Sequence, residues 1–367
     1  MELGAEVNIA TTDDDGPGER VNVPLEKFVP GPAGAPTIYF PKSTETYKTS
    51  WSMARWLRRH VSDYDVIHIH ALFSFSSFAA ARAARKAGVP YIVRPLGVLN
   101  RWSLENRKRL IKQWSLAAIE LPILRGAAAI HYTAEAEKSE AAEAHPHIAK
   151  MRSVIIPIPV EPAAAAVDST TAHRTPDDRR VILFLSRLHA KKGPELLLQA
   201  FQEVRAEFPD VVLIMAGNGD ENYVARLREQ ARMLGCDDGI EWAGFVTGAD
   251  KAALLARATI FVLPSYSENF GIAAAEAMAA GVPSILSEGI AIAPGASREQ
   301  AALLVSPEPK VIAVAIRRLL TDGALRQSLG ERGREYINNH FSPKAVGAQL
   351  MKLYQSVIGK SETSCAT

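Results

Sequence analysis

The chain has 367 residues, enough for about two domains at roughly 150 residues each, and its 47% hydrophobic and 22% charged content is that of a globular protein. A net charge of +2 gives no bulk field to attract nucleic acid, and two cysteines, Cys236 and Cys365, support neither a disulfide framework nor a cysteine metal site. No apolar run of about 18 residues occurs and no basic region with an apolar run opens the chain, so neither a spanning helix nor a signal peptide is predicted, and the cytoplasm is the expected location.

In chain order, short β-branched runs alternate with longer amphipathic stretches. Strands are predicted at 7–9, 66–69, 91–93 and 128–130, then at 181–185, 211–215, 260–263 and 283–286. Helices between them include 75–87, 194–207, 222–234 and 272–281. This alternation implies parallel sheets covered by helices on both faces. The start departs from the pattern: Met1-Glu2-Leu3-Gly4 reads as the end of a first helix, so the N-terminal domain is expected to lack its first strand–loop–helix unit. Pro157, Pro159, Pro162 and the alanine run after them have linker composition. The expected organisation is an N-terminal α/β domain over 1–160, a linker over 161–178 and a C-terminal α/β domain over 179–342. Ser342 and Pro343 announce a last helix over 343–360, with Val346, Leu350, Leu353 and Val357 at helical spacing, before a tail at 361–367 expected to be disordered. Ligands of open parallel sheets bind beyond the carboxyl ends of the strands, and two such domains facing each other would enclose a cleft for two substrates.

The densest chemistry follows the strand at 260–263. There Pro264-Ser265-Tyr266-Ser267-Glu268-Asn269-Phe270-Gly271 leads into a helix carrying Glu276. A helix start with free N–H groups is an anion site. Eight residues of helix would separate Glu268 from Glu276 by about 12 Å, so two carboxylates can accept from the hydroxyls of two sugars on either side of a diphosphate. The bland reading is two solvated glutamates near a helix end. A second loop, Ser186-Arg187-Leu188-His189-Ala190-Lys191-Lys192-Gly193, again follows a strand. Arg187 and Lys192 can converge on a diphosphate and stabilise the charge it gains on leaving; alone, the loop would be merely basic.

These pieces resemble the retaining glycosyltransferases of family 4, which have the GT-B fold of two Rossmann-like domains. The resemblance rests on Ser-Arg-Leu-x3-Lys-Gly at 186–193, Ala-Gly-x-Gly at 216–219, Gly-Phe-Val at 244–246 and Glu-x-Phe-Gly-x4-Glu-Ala-Met-Ala-x-Gly-x-Pro at 268–283, in that order. Asp65-Val66-Ile67-His68-Ile69-His70 and the terminal helix extend it. It implies a metal-independent hexosyl transfer from a nucleoside-diphosphate sugar to a glycan or lipid-linked acceptor, in polysaccharide or glycolipid biosynthesis, with no cofactor. Arg187 and Lys192 would hold the diphosphate, Glu276 the ribose and Glu268 the transferred sugar. Asn269, the backbone at Phe270, Gly271 and Ile272, and Gly217 would complete the donor side, and Phe245 and Val246 would lie against the base. The terminal helix would pack back on the N-terminal domain. The family's glycine-rich first loop is missing here, and Leu96 stands where many members carry a histidine, with Arg94 as a candidate for its role.

His68 and His70 share a strand face without a third metal ligand, so His68 is expected to pack inside and His70 to lie near the cleft; His131 could reach the acceptor, with a structural hydrogen bond as its expected role, and His70, Arg94 and His131 are the acceptor-side candidates. Asp13-Asp14-Asp15 has cation-binding spacing but reads as a solvated turn. Residues 48–125 hold 14 Lys or Arg against 4 Asp or Glu, centred on 101–125, where Trp102 and Trp114 accompany the charges. This suits either a solvated basic helix or peripheral contact with an anionic membrane at its inner face. Two other functions stay open: a non-catalytic nucleotide-sugar-binding partner subunit or truncated inactive form, and another GT-B enzyme such as a sugar-nucleotide epimerase.

Overall fold

The computed structural model describes residues 3–16, 18–99, 114–161 and 179–364. The chain forms two compact units, Met1–Pro157 with Gly347–Thr367, and Ile158–Val346. All but one residue of the expected linker lies outside the described residues.

In the first unit β1 (Ile9–Thr12), β2 (Phe28–Pro30) and β3 (Pro36–Phe40) make a sheet of order β1-β3-β2, parallel between β1 and β3 and antiparallel between β2 and β3. The first strand starts at Ile9 rather than at Val7, which is 42% exposed. A second sheet runs β4 (Ile67–His70), β5 (Tyr91–Arg94), β6 (Ala129–Tyr132), β7 (Ser153–Ile155), parallel throughout. The helix Phe75–Ala87 follows β4. Ser74 caps it by accepting from Ser77 N–H, Gly88 at φ 72° ends it, and its buried alanines 79, 80, 81 and 84 form the core face.

The acidic run near the start is not a solvated turn. Asp13 is 2% exposed and accepts from Lys42 N–H at 2.7 Å and from the Arg20 guanidinium at 3.1 Å. Asp14 pairs with the buried Lys42 ammonium at 2.7 Å and with Lys48. The cations arrive from a distant loop, so local spacing could not reveal them. Their charge already occupies the carboxylates that a metal would need.

In the second unit six strands follow in turn: β8 (Arg180–Leu185), β9 (Val211–Ala216), β10 (Ile240–Gly244), β11 (Ile260–Leu263), β12 (Ser284–Ser287) and β13 (Leu303–Val305). They pair in parallel in the order β10-β9-β8-β11-β12-β13. Strands β9, β11 and β12 are buried at every residue, as continuous apolar strands are when helices cover both faces. The helix Pro194–Glu207 supplies Leu197, Leu198, Phe201 and Val204 to that core. Chain order reverses between β8 and β11, so the loops after these two strands diverge to opposite faces and leave room at their carboxyl ends.

The last helix, Pro343–Ser364, starts where Ser342 Oγ accepts from Ala345 N–H at 3.3 Å. It continues past Lys360 to Ser364, beyond the point where composition suggests disorder, because a helix once packed propagates cheaply. From Gly347 onward this segment belongs to the first unit. Among the described residues no helix is long and apolar enough to cross a membrane.

The turn Leu116–Glu120 is π-helical and buries Glu120 completely. Tyr47 OH donates to its Oε1 at 3.0 Å and Ser115 Oγ at 3.3 Å. Burial raises this carboxyl above its ordinary value of 4.5. Its contribution to stability is therefore complete below about pH 4.5 and is lost as pH rises through the folded value. Glu120→Gln cannot ionise, so its urea midpoint relative to the wild type is expected to rise between about pH 5 and about pH 8. A pH-independent difference would show that Glu120 is ionised in the fold.

Candidate functional site

The loops after β8 and β11 are stitched together. Lys191 C=O accepts from Tyr266 N–H at 2.9 Å and from the buried Ser265 Oγ at 3.0 Å. Lys192 closes a 3-10 turn over Ala190–Lys192 and forms an ion pair with Glu268. Both side chains are mostly enclosed, 14% and 17% exposed. Glu268 is fixed from its other side as well, because its N–H donates to Gly289 C=O at 2.8 Å and its C=O accepts from Ala291 N–H at 3.2 Å.

Gly271 precedes the helix Ile272–Ala279 with φ 95°, and a Cβ there would stand 2.5 Å from Ile290 Cγ2. Glycine is thus demanded by conformation and by Ile290, besides any ligand. The first turn of this helix presents unsatisfied N–H groups beside Glu268. Phe270 is 5% exposed and its ring stacks edge-on to Phe341, so only its backbone is available to a ligand. Asn269 is half-buried and Ile272 is 49% exposed.

Glu276 has a partner that sequence reasoning missed: Lys251 Nζ lies 2.6 Å from its Oε1. Lys251 sits on the helix Gly248–Arg257, 25 residues away in sequence, in no motif of its own. Arg187, by contrast, is exposed and makes no ion pair among the described residues. The structure therefore joins Lys192 to Glu268 and Lys251 to Glu276, while leaving Arg187 uncommitted.

Beside Arg187 the backbone is tightly interlocked. Leu188 N–H donates to Asn218 C=O at 2.8 Å, and a Cβ on Gly217 would lie 1.9 Å from Ser186 C=O. Gly217 N–H donates in turn to Gly244 C=O at 2.6 Å. Leu188, Gly217, Gly219, Arg228, Trp242 and Gly244 line a largely apolar cavity of about 420 Å³, within the range of small-ligand sites. Gly244, at φ 67°, turns the chain so that Phe245 is 71% exposed; its ring does not line that cavity, and Val246 is half-buried.

In the first unit the acceptor-side candidates meet at the carboxyl edge of the second sheet. His70 and Arg94 are register partners across β4 and β5. His131 Nε2 lies 2.7 Å from Ile156 C=O and must carry a proton, so Nδ1 is the acceptor. His68 Nε2–H then donates to His131 Nδ1 at 3.2 Å, and Tyr354 OH of the last helix donates to His68 Nδ1 at 2.9 Å. Both imidazoles are neutral in this chain. Burial, followed by His70, His131 and Arg94, lowers His68 to about 2. The part of the terminal helix that belongs to the first unit is thus held to β4 by a hydrogen bond, and Leu353 and Val357 are buried along it. Among the described residues no cluster of three potential metal ligands occurs.

With this geometry in place, the comparisons are specific. Residues 1–158 match the family described as a glycosyl transferase 4-like domain, and residues 168–336 match glycosyl transferases group 1. The two halves of the chain thus belong, in that order, to these two families of group 1, family 4 type. It is 33% identical over 210 residues to a phosphatidyl-myo-inositol mannosyltransferase of Mycolicibacterium smegmatis, covering 56% of this chain and 53% of that one. The chain spans about half the length of the curated relatives it matches. Among solved structures it resembles a sucrose-phosphate synthase from Thermosynechococcus elongatus, with TM-score 0.69 and 22% identity, covering 98% of this chain and 90% of that one. HepE of Anabaena in complex with UDP-glucose superposes with TM-score 0.64 and 19% identity, over 88% and 86% of the two chains. These likenesses give the GT-B fold to this glycosyltransferase.

The histidine chain sets an acid limit. Unfolded histidines near the ordinary value of 6.5 bind protons that folded His68 cannot, so its contribution is complete above about pH 6.5 and is lost as pH falls toward the folded value. Unfolding free energy is expected to fall below pH 6.5 with up to about 1.4 kcal/mol per pH unit from this one site, and His68→Gln should flatten the slope. An unchanged slope in the variant would remove His68 as its origin.

Proposed function

We propose that this glycosyltransferase moves a hexose from a nucleoside-diphosphate sugar to a hydroxyl of a glycan or lipid-linked acceptor, with retained anomeric configuration and without a metal ion. The observation that carries this reading is the convergence of the Arg187–Lys192 loop and the Glu268 loop at the reversal of strand order in one parallel sheet. The structural neighbour in complex with UDP-glucose supports a nucleoside-diphosphate donor.

In the proposed complex the Lys192 ammonium is shared between the donor diphosphate and Glu268. Glu268, fixed at both its N–H and its C=O, then accepts from hydroxyls of the transferred sugar. Glu276, oriented by Lys251, takes the ribose hydroxyls, and the base lies toward Gly244–Val246. The bond from the anomeric carbon to the diphosphate oxygen breaks against Arg187, Lys192 and the helix start. The acceptor oxygen bonds to the same face, and its proton passes to the departing diphosphate. Fixed cations favour this step because they stabilise charge that grows only as the bond breaks.

Arg187→Met and Lys192→Met are each expected to lower kcat/KM about 10²–10³-fold, the scale of losing one group aimed at developing charge. Glu276→Gln and Lys251→Met should raise donor KM together, as members of one pair. NMR of the first-formed product should show the donor's anomeric configuration, and EDTA should leave the rate unchanged. An inverted product or a rate abolished by EDTA would overturn the scheme.

We also propose peripheral contact of the first unit with an anionic bilayer. Residues 101–113 of the basic segment lie outside the described residues, but Trp114 beside them is 68% exposed. Arg82, Arg85 and Lys86 border a groove of about 380 Å³ floored by Phe78, Ile119 and Pro122. Cationic heads over an apolar floor suit an interface of phosphate and acyl chain. In liposome flotation the protein should rise with anionic vesicles and stay down with neutral ones. Failure to bind either would end this part of the reading.

A further inference from the structure

Arg94 ends β5 in the middle of the four-stranded sheet. Its Nε is shielded from solvent and has no hydrogen-bond partner. No ion pair to its guanidinium exists among the described residues. Arg94 as a whole is half-buried, but leaving a shielded guanidinium N–H without a partner is costly, and native structures rarely do so.

The polar groups around it are committed elsewhere. His131 uses one nitrogen on Ile156 and the other on His68, and His68 is held by Tyr354. Glu137 is the acid in electrostatic reach of Arg94. Its Oε1 accepts from Gly97 N–H at 2.6 Å, and its Oε2 accepts from Thr133 N–H and Thr133 Oγ1, each at 2.8 Å. Glu137 therefore softens the field at Arg94 without taking its hydrogen bonds. His70, the register partner of Arg94, is exposed and makes no hydrogen bond among the described residues.

The backbone beside this edge is strained. Ala71 at φ 73°, Phe73 at φ 55° and Leu96 at φ 59° all occupy the left-handed region, although none is glycine. Ala71 and Phe73 follow β4 and Leu96 follows β5, so the strained residues bracket Arg94. Strain of this kind persists where the surrounding structure enforces it, which is common at ligand sites.

We infer that Arg94 and His70 form an anion subsite in the first unit that receives the phosphate or carboxylate of an acidic acceptor. This rests on the glycosyl-transfer reading and adds to it the acceptor's charge. The Arg94 fork supplies planar N–H donors for two anionic oxygens, and the His70 ring supplies a further N–H. Without an anion, desolvation of the ring face that packs against His68, followed by the positive charge of Arg94, lowers His70 to about 4 although the residue keeps an exposed side. An anion bound between them opposes both costs, so it binds with an upward shift of the His70 titration.

The test uses the full chain with 15N-labelled arginine. The Arg94 Nε–H resonance is identified by its loss in Arg94→Lys. Methyl phosphate and methyl glucuronate are titrated separately at constant ionic strength. The expected result is a saturable shift of that resonance and an upward shift of the His70 titration, both preserved in Arg187→Met. Saturation by methyl phosphate alone identifies a phosphate-bearing acceptor, and saturation by methyl glucuronate identifies an acidic sugar. A linear, unsaturating response to both ligands, or one that disappears in Arg187→Met, overturns the subsite. Donor binding is read independently by titrating UDP-glucose into the unsubstituted chain and into Arg94→Lys. If no nucleotide sugar binds but Arg94 still saturates, the transfer reading falls and the anion subsite stands.

Discussion

Parallel strands cannot be joined by tight turns, so each of the six strands in the second unit must be followed by a crossover that lies on one face of the sheet or the other. Where the order reverses, between β8 and β11, successive crossovers part company and the carboxyl ends of two central strands are left uncovered. The donor side proposed for the molecule hangs on that geometric necessity. Arg187 and Lys192 leave the sheet from β8, and Glu268 leaves it from β11. Lys191 C=O, accepting from both Tyr266 and Ser265, fixes one loop against the other. The six buried strands are thus the reason why side chains about 75 residues apart meet.

Charge is distributed in two ways. Lys192 with Glu268 and Lys251 with Glu276 are neutralised pairs, whose partial burial is tolerable because each partner offsets the desolvation of the other. Arg187 and Arg94 have no ion-pair partner among the described residues. The first kind can exchange a carboxylate for a ligand with little change in net charge, and the second kind gains its first counterion from the ligand. The Asp13–Asp14–Lys42 network belongs to neither kind. Its groups satisfy one another completely and serve to anchor the start of the chain to the loop after β3.

Much of both units was legible in sequence where the signals are local. The strand at 260–263 and the helices at 75–87 and 194–207 follow from unbroken apolar runs, helical spacing, and glycine or proline at their ends. Strands β2 and β3 were not legible, since each is short, carries proline and depends on pairing with a distant segment. Among site residues, Glu268, Glu276, Arg187 and Lys192 lie in motifs dense enough to read. Lys251 does not, because its role comes only from the helix that brings it to Glu276. Phe245 was legible by its place in the motif but its exposure was not: Gly244, at φ 67°, leaves the ring 71% exposed and outside the neighbouring cavity. The histidine chain was half legible, with His131 expected to make a structural bond and Tyr354 invisible at a separation of 286 residues.

That separation bears on how the molecule is made. The second unit interrupts the first, which resumes only at Gly347. On a ribosome adding about 5–20 residues per second, His68 waits roughly 15–60 s for Tyr354 to emerge, far longer than a local helix or hairpin needs to form. The inserted unit has its own core and can fold during this interval, whereas the first unit lacks the helix that holds His68 until the segment from Gly347 is made. Until then its sheet edge, with two imidazoles and Arg94, is the surface a chaperone would have to guard.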